Sequence, residues 1–181
     1  MDKFKIGSLL GYISAKIPEM TLRKLIKLVF LIDEESVKTR GLSVTWLNYY
    51  AWEKGPVAPC IYEVKNNGGL FADFVSVKKN AKGQNVVSSC QELETCGLAF
   101  SRKERRLIDQ ILEKYGQMTA DELTDITHAD DGLWQKATKK YQIDFEAQGG
   151  KSEVELNLAD WIADDEEKMD VYEDARSIAL L

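Results

Sequence analysis

The chain is predicted to be α+β and mainly helical: a helical bundle around one buried central helix, with one small β-hairpin at its edge. Three observations predict this. Leu22, Leu25, Ile26, Leu28, Val29 and Ile32 recur at helical spacing between Thr21, an N-cap residue type, and Gly41, a stop. Ser101-x-x-Glu104 and Thr119-x-x-Glu122 are capping boxes, each placed before an apolar stripe. Two short β-rich runs, 74–78 and 85–88, flank Asn80-Ala-Lys-Gly-Gln84, a hairpin turn with glycine in it.

Taken in order, residues 2–17 carry Phe4, Ile6, Leu9, Leu10, Ile13 and Ile17 as an approximate helical stripe that Pro18 ends. The central helix follows over 22–38, apolar on so many sides that it must be largely enclosed. Residues 42–52 are rich in β-branched and aromatic types, yet Trp46, Leu47 and Tyr50 also fit helical spacing. The expectation is a short helix over 44–48 passing into an extended approach to Gly55. Gly55 before Pro56 makes a sharp turn, and Pro59 suits the first turn of a short helix with Ile61 and Val64 on one face, closed near Gly68. After the hairpin, the Ser101 helix presents Leu107, Ile108, Ile111, Leu112 and Tyr115, and ends at Gly116. The Thr119 helix runs to about His128, Asp130-Asp131-Gly132 turns the chain, and 133–141 is a further helix carrying Trp134.

The expected division is a domain over 1–150 and an acidic extension over 151–181, with Gly149-Gly150 as a hinge between them. From Glu153 to Arg176 ten acids face two bases, a balance of −8 in a chain of net charge −6, so the remainder is close to neutral. Leu156, Leu158, Trp161, Ile162, Met169, Tyr172 and residues 178–181 recur there at loosely helical spacing, as in an amphipathic helix that docks on the domain or on a partner. An acidic segment repels nucleic acid and attracts a basic protein surface, with Trp161 and Tyr172 available as anchors.

Composition excludes several classes of function. With 44% hydrophobic and 30% charged residues the chain has an ordinary globular composition, and its longest apolar run is interrupted by Lys27 and too short to span a membrane. Its start has no signal-peptide pattern, so a cytoplasmic protein is expected. Cys60, Cys90 and Cys96 form no Cys-x-x-Cys, and a metal site would need all three to converge on His128, the one histidine. No metal or cofactor is expected.

Cys60 near a helix start and His128 could together make a hydrolase, but no oxyanion motif accompanies them. The structural reading of His128 is a ring at a helix end, bonding terminal carbonyls and packing near Trp134. Arg102, Lys103, Arg105 and Arg106 are the one basic cluster and could touch DNA phosphate; equally they are a solvated first turn, and no base-reading helix-turn-helix accompanies them. Nucleic acid is therefore not the expected partner. Gly55-Pro56-Val57 is either a turn the backbone needs or a binding loop presenting Trp52, Lys54, Val57 and Tyr62.

Ala51-Trp52-x-x-Gly55-Pro56-Val57-x-Pro59-x-x-Tyr62, preceded by Leu22-x-x-Leu25-x-Lys27-Leu28 and followed by Leu123-x-x-x-Thr127-His128 with Trp134, resembles the Panacea (SocA-like, phage-associated) antitoxin domain. The resemblance spans residues 22–141. It implies a domain without catalytic activity, the antitoxin of a toxin–antitoxin system, that neutralises a cognate toxin by direct binding. It also implies one alternative to occlusion, an adaptor that delivers the toxin to an AAA+ protease; a second alternative, a DNA-binding autoregulator, rests on the basic cluster at 102–106 and not on the resemblance. Trp52, Lys54, Gly55, Pro56, Val57 and Tyr62 are then the candidate partner-binding residues, and Thr127, His128 and Trp134 a structural motif. The acidic extension departs from the family pattern, so Trp161 and Tyr172 stand on their chemistry alone.

Overall fold

The computed structural model describes residues 1–179. Helix α1 (Lys3–Lys16) begins where the Asp2 carboxylate accepts the Lys5 N–H at 2.9 Å, and it buries Ile6, Leu9, Leu10 and Ile13 completely. Helix α2 (Leu22–Arg40) starts at the Thr21 cap and ends at Gly41, whose φ of 65° is the left-handed terminator that glycine adopts without strain. α2 is the axis of the molecule. It is covered along its length by later elements, which is why an unbroken run from Leu25 to Asp33 is buried.

The chain next departs from expectation. Residues 44–48 are not helical, because the N–H groups of Val44 and Thr45 are drawn to the Asp33 carboxylate at 2.8 and 2.9 Å, and Trp46 takes a left-handed φ of 55°. A buried acceptor on α2 overrides the local spacing of Trp46, Leu47 and Tyr50. Strand β1 (Tyr49–Trp52) follows, turns through Glu53 and Lys54, and pairs antiparallel with β2 (Gly55–Val57), Trp52 opposite Gly55. Pro59 opens the short helix α3 (Pro59–Tyr62), a 3-10 turn continues to Lys65, and Gly68 stops it, donating its N–H to the Val64 carbonyl at 2.8 Å.

The expected hairpin is β3 (Val75–Lys79) against β4 (Asn85–Ser89), closed by Gly83 at φ 74° and by the Asn80 side chain, which accepts from the N–H groups of Lys82 and Gln84. Helix α4 (Leu93–Gly97) leads to α5 (Arg102–Tyr115) and α6 (Ala120–Thr127), both opened by complete capping boxes. Helix α7 (Leu133–Tyr141) buries Leu133, Trp134 and Ala137.

The acidic segment starts as a strand. β5 (Lys151–Leu156) pairs antiparallel with β1, completing a sheet ordered β2-β1-β5 that the sequence reading did not contain. Alternate residues Ser152 and Leu156 point inward while Glu153 and Glu155 face solvent. Gly149 and Gly150, read as a hinge, carry the chain into this strand at φ 61° and 77°, and Gly150 is bonded on both sides, to the Phe145 carbonyl and the Glu53 N–H. Helix α8 (Glu166–Ala179) ends the described chain; Leu180 and Leu181, placed with it from sequence, lie outside the described residues.

Candidate functional site

The three sequence stretches that stood out meet at Gly55. Its φ of 104° is open to glycine alone, and an added Cβ would collide with Lys27 Nζ from α2 while lying 3.0 Å from Thr127 Oγ1 and 3.1 Å from His128 Nε2 at the end of α6. The backbone of the turn is therefore seated directly on a buried polar group from each of two helices. Lys27 is 2% exposed and donates to the Lys54 carbonyl, holding the turn from below. From the side, the Trp134 indole N–H donates to the Trp52 carbonyl at 2.7 Å.

His128 lies flat on Trp134, ring centroids 3.6 Å apart and planes within 4°, and Trp134 is parallel to Phe145 at 5.6 Å. The expected packing of His128 on Trp134 is present, but its ring makes no bond to helix-end carbonyls: Nε2 is buried without a partner among the described residues. Stacking fixes the ring broadside to the indole and turns that nitrogen toward Lys27 and Gly55 instead. Burial, then the Lys27 charge, lowers the imidazole to a pKa of about 4, so it is neutral at physiological pH. Burial, with a smaller contribution from Arg23, brings Lys27 down to about 7.

An open cleft of about 880 Å³ lies over this junction, bounded by the first turns of α2, the β1–β2 turn, the β3–β4 turn, the start of α6 and Gly149–Lys151. Of the residues expected to be presented, Trp52, Lys54 and Tyr62 line it with exposed or half-exposed side chains. Gly55, Pro56 and Val57 are buried and shape the turn, although Val57 reaches the cleft wall. Trp52 and Tyr62 meet edge to face at 4.9 Å, and Lys151 Nζ sits over both rings at 4.7 and 4.8 Å. Lys151, brought here by β5, was not singled out from sequence. Nor was Lys27 as a site residue, although a lone lysine inside an apolar run was its signal.

The other candidates fall elsewhere. Trp161 is half-buried, donating to Glu34 at 3.0 Å with Lys38 Nζ 3.6 Å from its ring centre, so it fastens the chain after β5 onto α2. Tyr172 is 6% exposed against Trp46, which gives this expected partner anchor an intramolecular neighbour. Burial pushes the Cys60 thiol up, the opposite of what an activated nucleophile needs, and no hydrogen bond joins it to His128 among the described residues. No group of three or more His, Cys, Asp or Glu side chains among the described residues is placed to hold a metal ion. Likewise, no helix among them is long and apolar enough to cross a membrane.

The model of one protein family, antitoxin SocA-like, Panacea domain, matches residues 25–135. That match covers more than half of the chain and takes in Lys27, the Gly55 turn, Thr127, His128 and Trp134; the chain belongs to this family. No curated protein and no solved structure matched it.

Proposed function

We propose that this Panacea-domain chain neutralises a cognate protein toxin by binding it directly and covering its working surface. Membership in an antitoxin-like family supports an antitoxin role in general. The observation that carries the finer reading is the convergence of three distant stretches, from α2, the β1–β2 turn and the end of α6, beneath one open cleft. A turn held by a buried lysine, a stacked histidine and an indole N–H is a preorganised platform, and preorganisation lowers the ordering cost of binding. In this reading Trp52, Lys54 and Tyr62 contact the toxin, while Gly55, Pro56 and Val57 set their positions. Thr127, His128 and Trp134 support the turn, and Trp161 and Tyr172 hold the acidic segment in place.

Co-expression with the product of the adjacent open reading frame tests this. Growth should be restored with toxin levels unchanged, and the two proteins should co-purify. Toxin loss that depends on a host AAA+ protease replaces occlusion with adaptor delivery, and failure to restore growth removes the antitoxin reading.

A further inference from the structure

The cleft is positive in a chain of net charge −6. Six cationic side chains line it against three carboxylates, those of Glu19, Glu53 and Asp121. Arg23 is paired with Asp121, but Lys24, Lys27, Lys54, Lys82 and Lys151 have no carboxylate partner within 4.0 Å among the described residues. Lys27 is the most telling of these. It is 2% exposed, its single hydrogen-bond partner among the described residues is a backbone carbonyl, and the nearby His128 Nε2 has none among them. Burying a cation without a counter-ion is costly, and here the cost is placed directly beneath an open groove.

We propose that this cleft receives an acidic segment of the toxin, whose carboxylates pair with Lys54, Lys82 and Lys151 at the rim, above Lys27 in the floor. This deepens the antitoxin reading given above and rests on it. The Trp52–Tyr62 pair offers the segment an apolar wall beside those charges. Lys27, held at a pKa of about 7, is partly neutral in the free chain, and a carboxylate seated above it favours its protonated form. Elsewhere the chain's acidity repels such a segment, and the exposed acids of β5 and α8 do so most, which directs it to this groove. A nucleic acid is the other polyanion, and the oligo-dT arm of the test below separates it from an acidic peptide.

The test uses the full chain with fluorescein-labelled octaglutamate, followed by anisotropy at low and physiological salt, with octalysine and an oligo-dT as comparison probes. Octaglutamate should bind saturably and octalysine should not. The triple change Lys54→Glu, Lys82→Glu, Lys151→Glu, all on exposed side chains, should weaken binding about tenfold or more. The pair Arg102→Glu, Arg106→Glu, outside the cleft, should leave it unchanged. Lys27→Met, checked for folding by thermal melt, should weaken binding without touching the rim. Absent binding, equal loss in the Arg102/Arg106 variant, or tighter binding of oligo-dT overturns the proposal. Growth rescue separates the two levels: a triple variant that still rescues removes the cleft assignment and leaves the antitoxin reading standing. A wild-type chain that never rescues removes the antitoxin reading itself.

Discussion

Helix α2 buries two charged side chains less than two turns apart, and they live in opposite circumstances. Asp33, fully buried, accepts four hydrogen bonds: from the Val44 N–H at 2.8 Å, the Thr45 N–H at 2.9 Å, the Tyr49 hydroxyl at 2.7 Å and the Thr45 hydroxyl. Among the described residues Lys27, 2% exposed, gives one bond to a carbonyl and faces an unpartnered imidazole nitrogen. The difference teaches that burial alone does not say what a charge is for. A saturated carboxylate pins a loop to a helix and has nothing left to offer a ligand. The undersaturated lysine beneath a cleft holds a turn while keeping capacity in reserve.

The largest effect should come from the saturated end. Asp33→Ala strands two backbone N–H groups and two hydroxyls in the core, and should lower the unfolding free energy by about 3–5 kcal/mol in urea titration. If it costs under 1 kcal/mol, the contrast with Lys27 has no basis. Gly55→Ala comes next: it must hold φ near 104° and collides with Lys27 Nζ, at about 2–3 kcal/mol. Combining it with Lys27→Ala should recover part of that loss, a less-than-additive pair that isolates the collision.

Lys27→Met sharpens the comparison by pH. The folded pKa of about 7 lies below the ordinary lysine value of 10.5, so between those limits the unfolded chain binds a proton the folded chain lacks. Wild-type stability therefore gains from this group as pH rises through the window, by up to about 1.4 kcal/mol per pH unit. The Met variant should lack that gain, and should be as stable as wild type or more so near pH 6. The smallest effect belongs to His128→Gln. With a folded pKa of about 4 against 6.5, His128 costs the wild type stability as pH falls from 6.5 towards 4, muted by the ring's partial exposure. A Gln variant whose melting temperature falls just as steeply over that range would show that another group sets the acid limb.

What could be read directly from residues was the part written locally. Thr21, Ser101 and Thr119 cap their own helices, Gly41 ends α2 and Gly83 turns the hairpin, each through groups a few residues away. The sheet was hidden because its middle strand and β5 lie a hundred residues apart, and the acids of 153–174 masked the alternation of Ser152, Val154 and Leu156. Trp46 misled because its helical spacing ignored Asp33, a competitor on another element. The candidate site was legible as motif but not as place. Nothing within the sequence says that Lys27, Gly55 and His128 share one junction or that Lys151 closes over Trp52.

Strand β5 also sets an order of events at the ribosome. The strand that completes the sheet, and with it Gly149, Gly150 and Lys151 of the cleft wall, is synthesised about a hundred residues after β1, so β1 waits with one edge bare until β5 emerges. A polypeptide released early, or clipped near Gly149, would present a sticky sheet margin and an unfinished groove. Such a fragment would be easy prey for quality-control proteases.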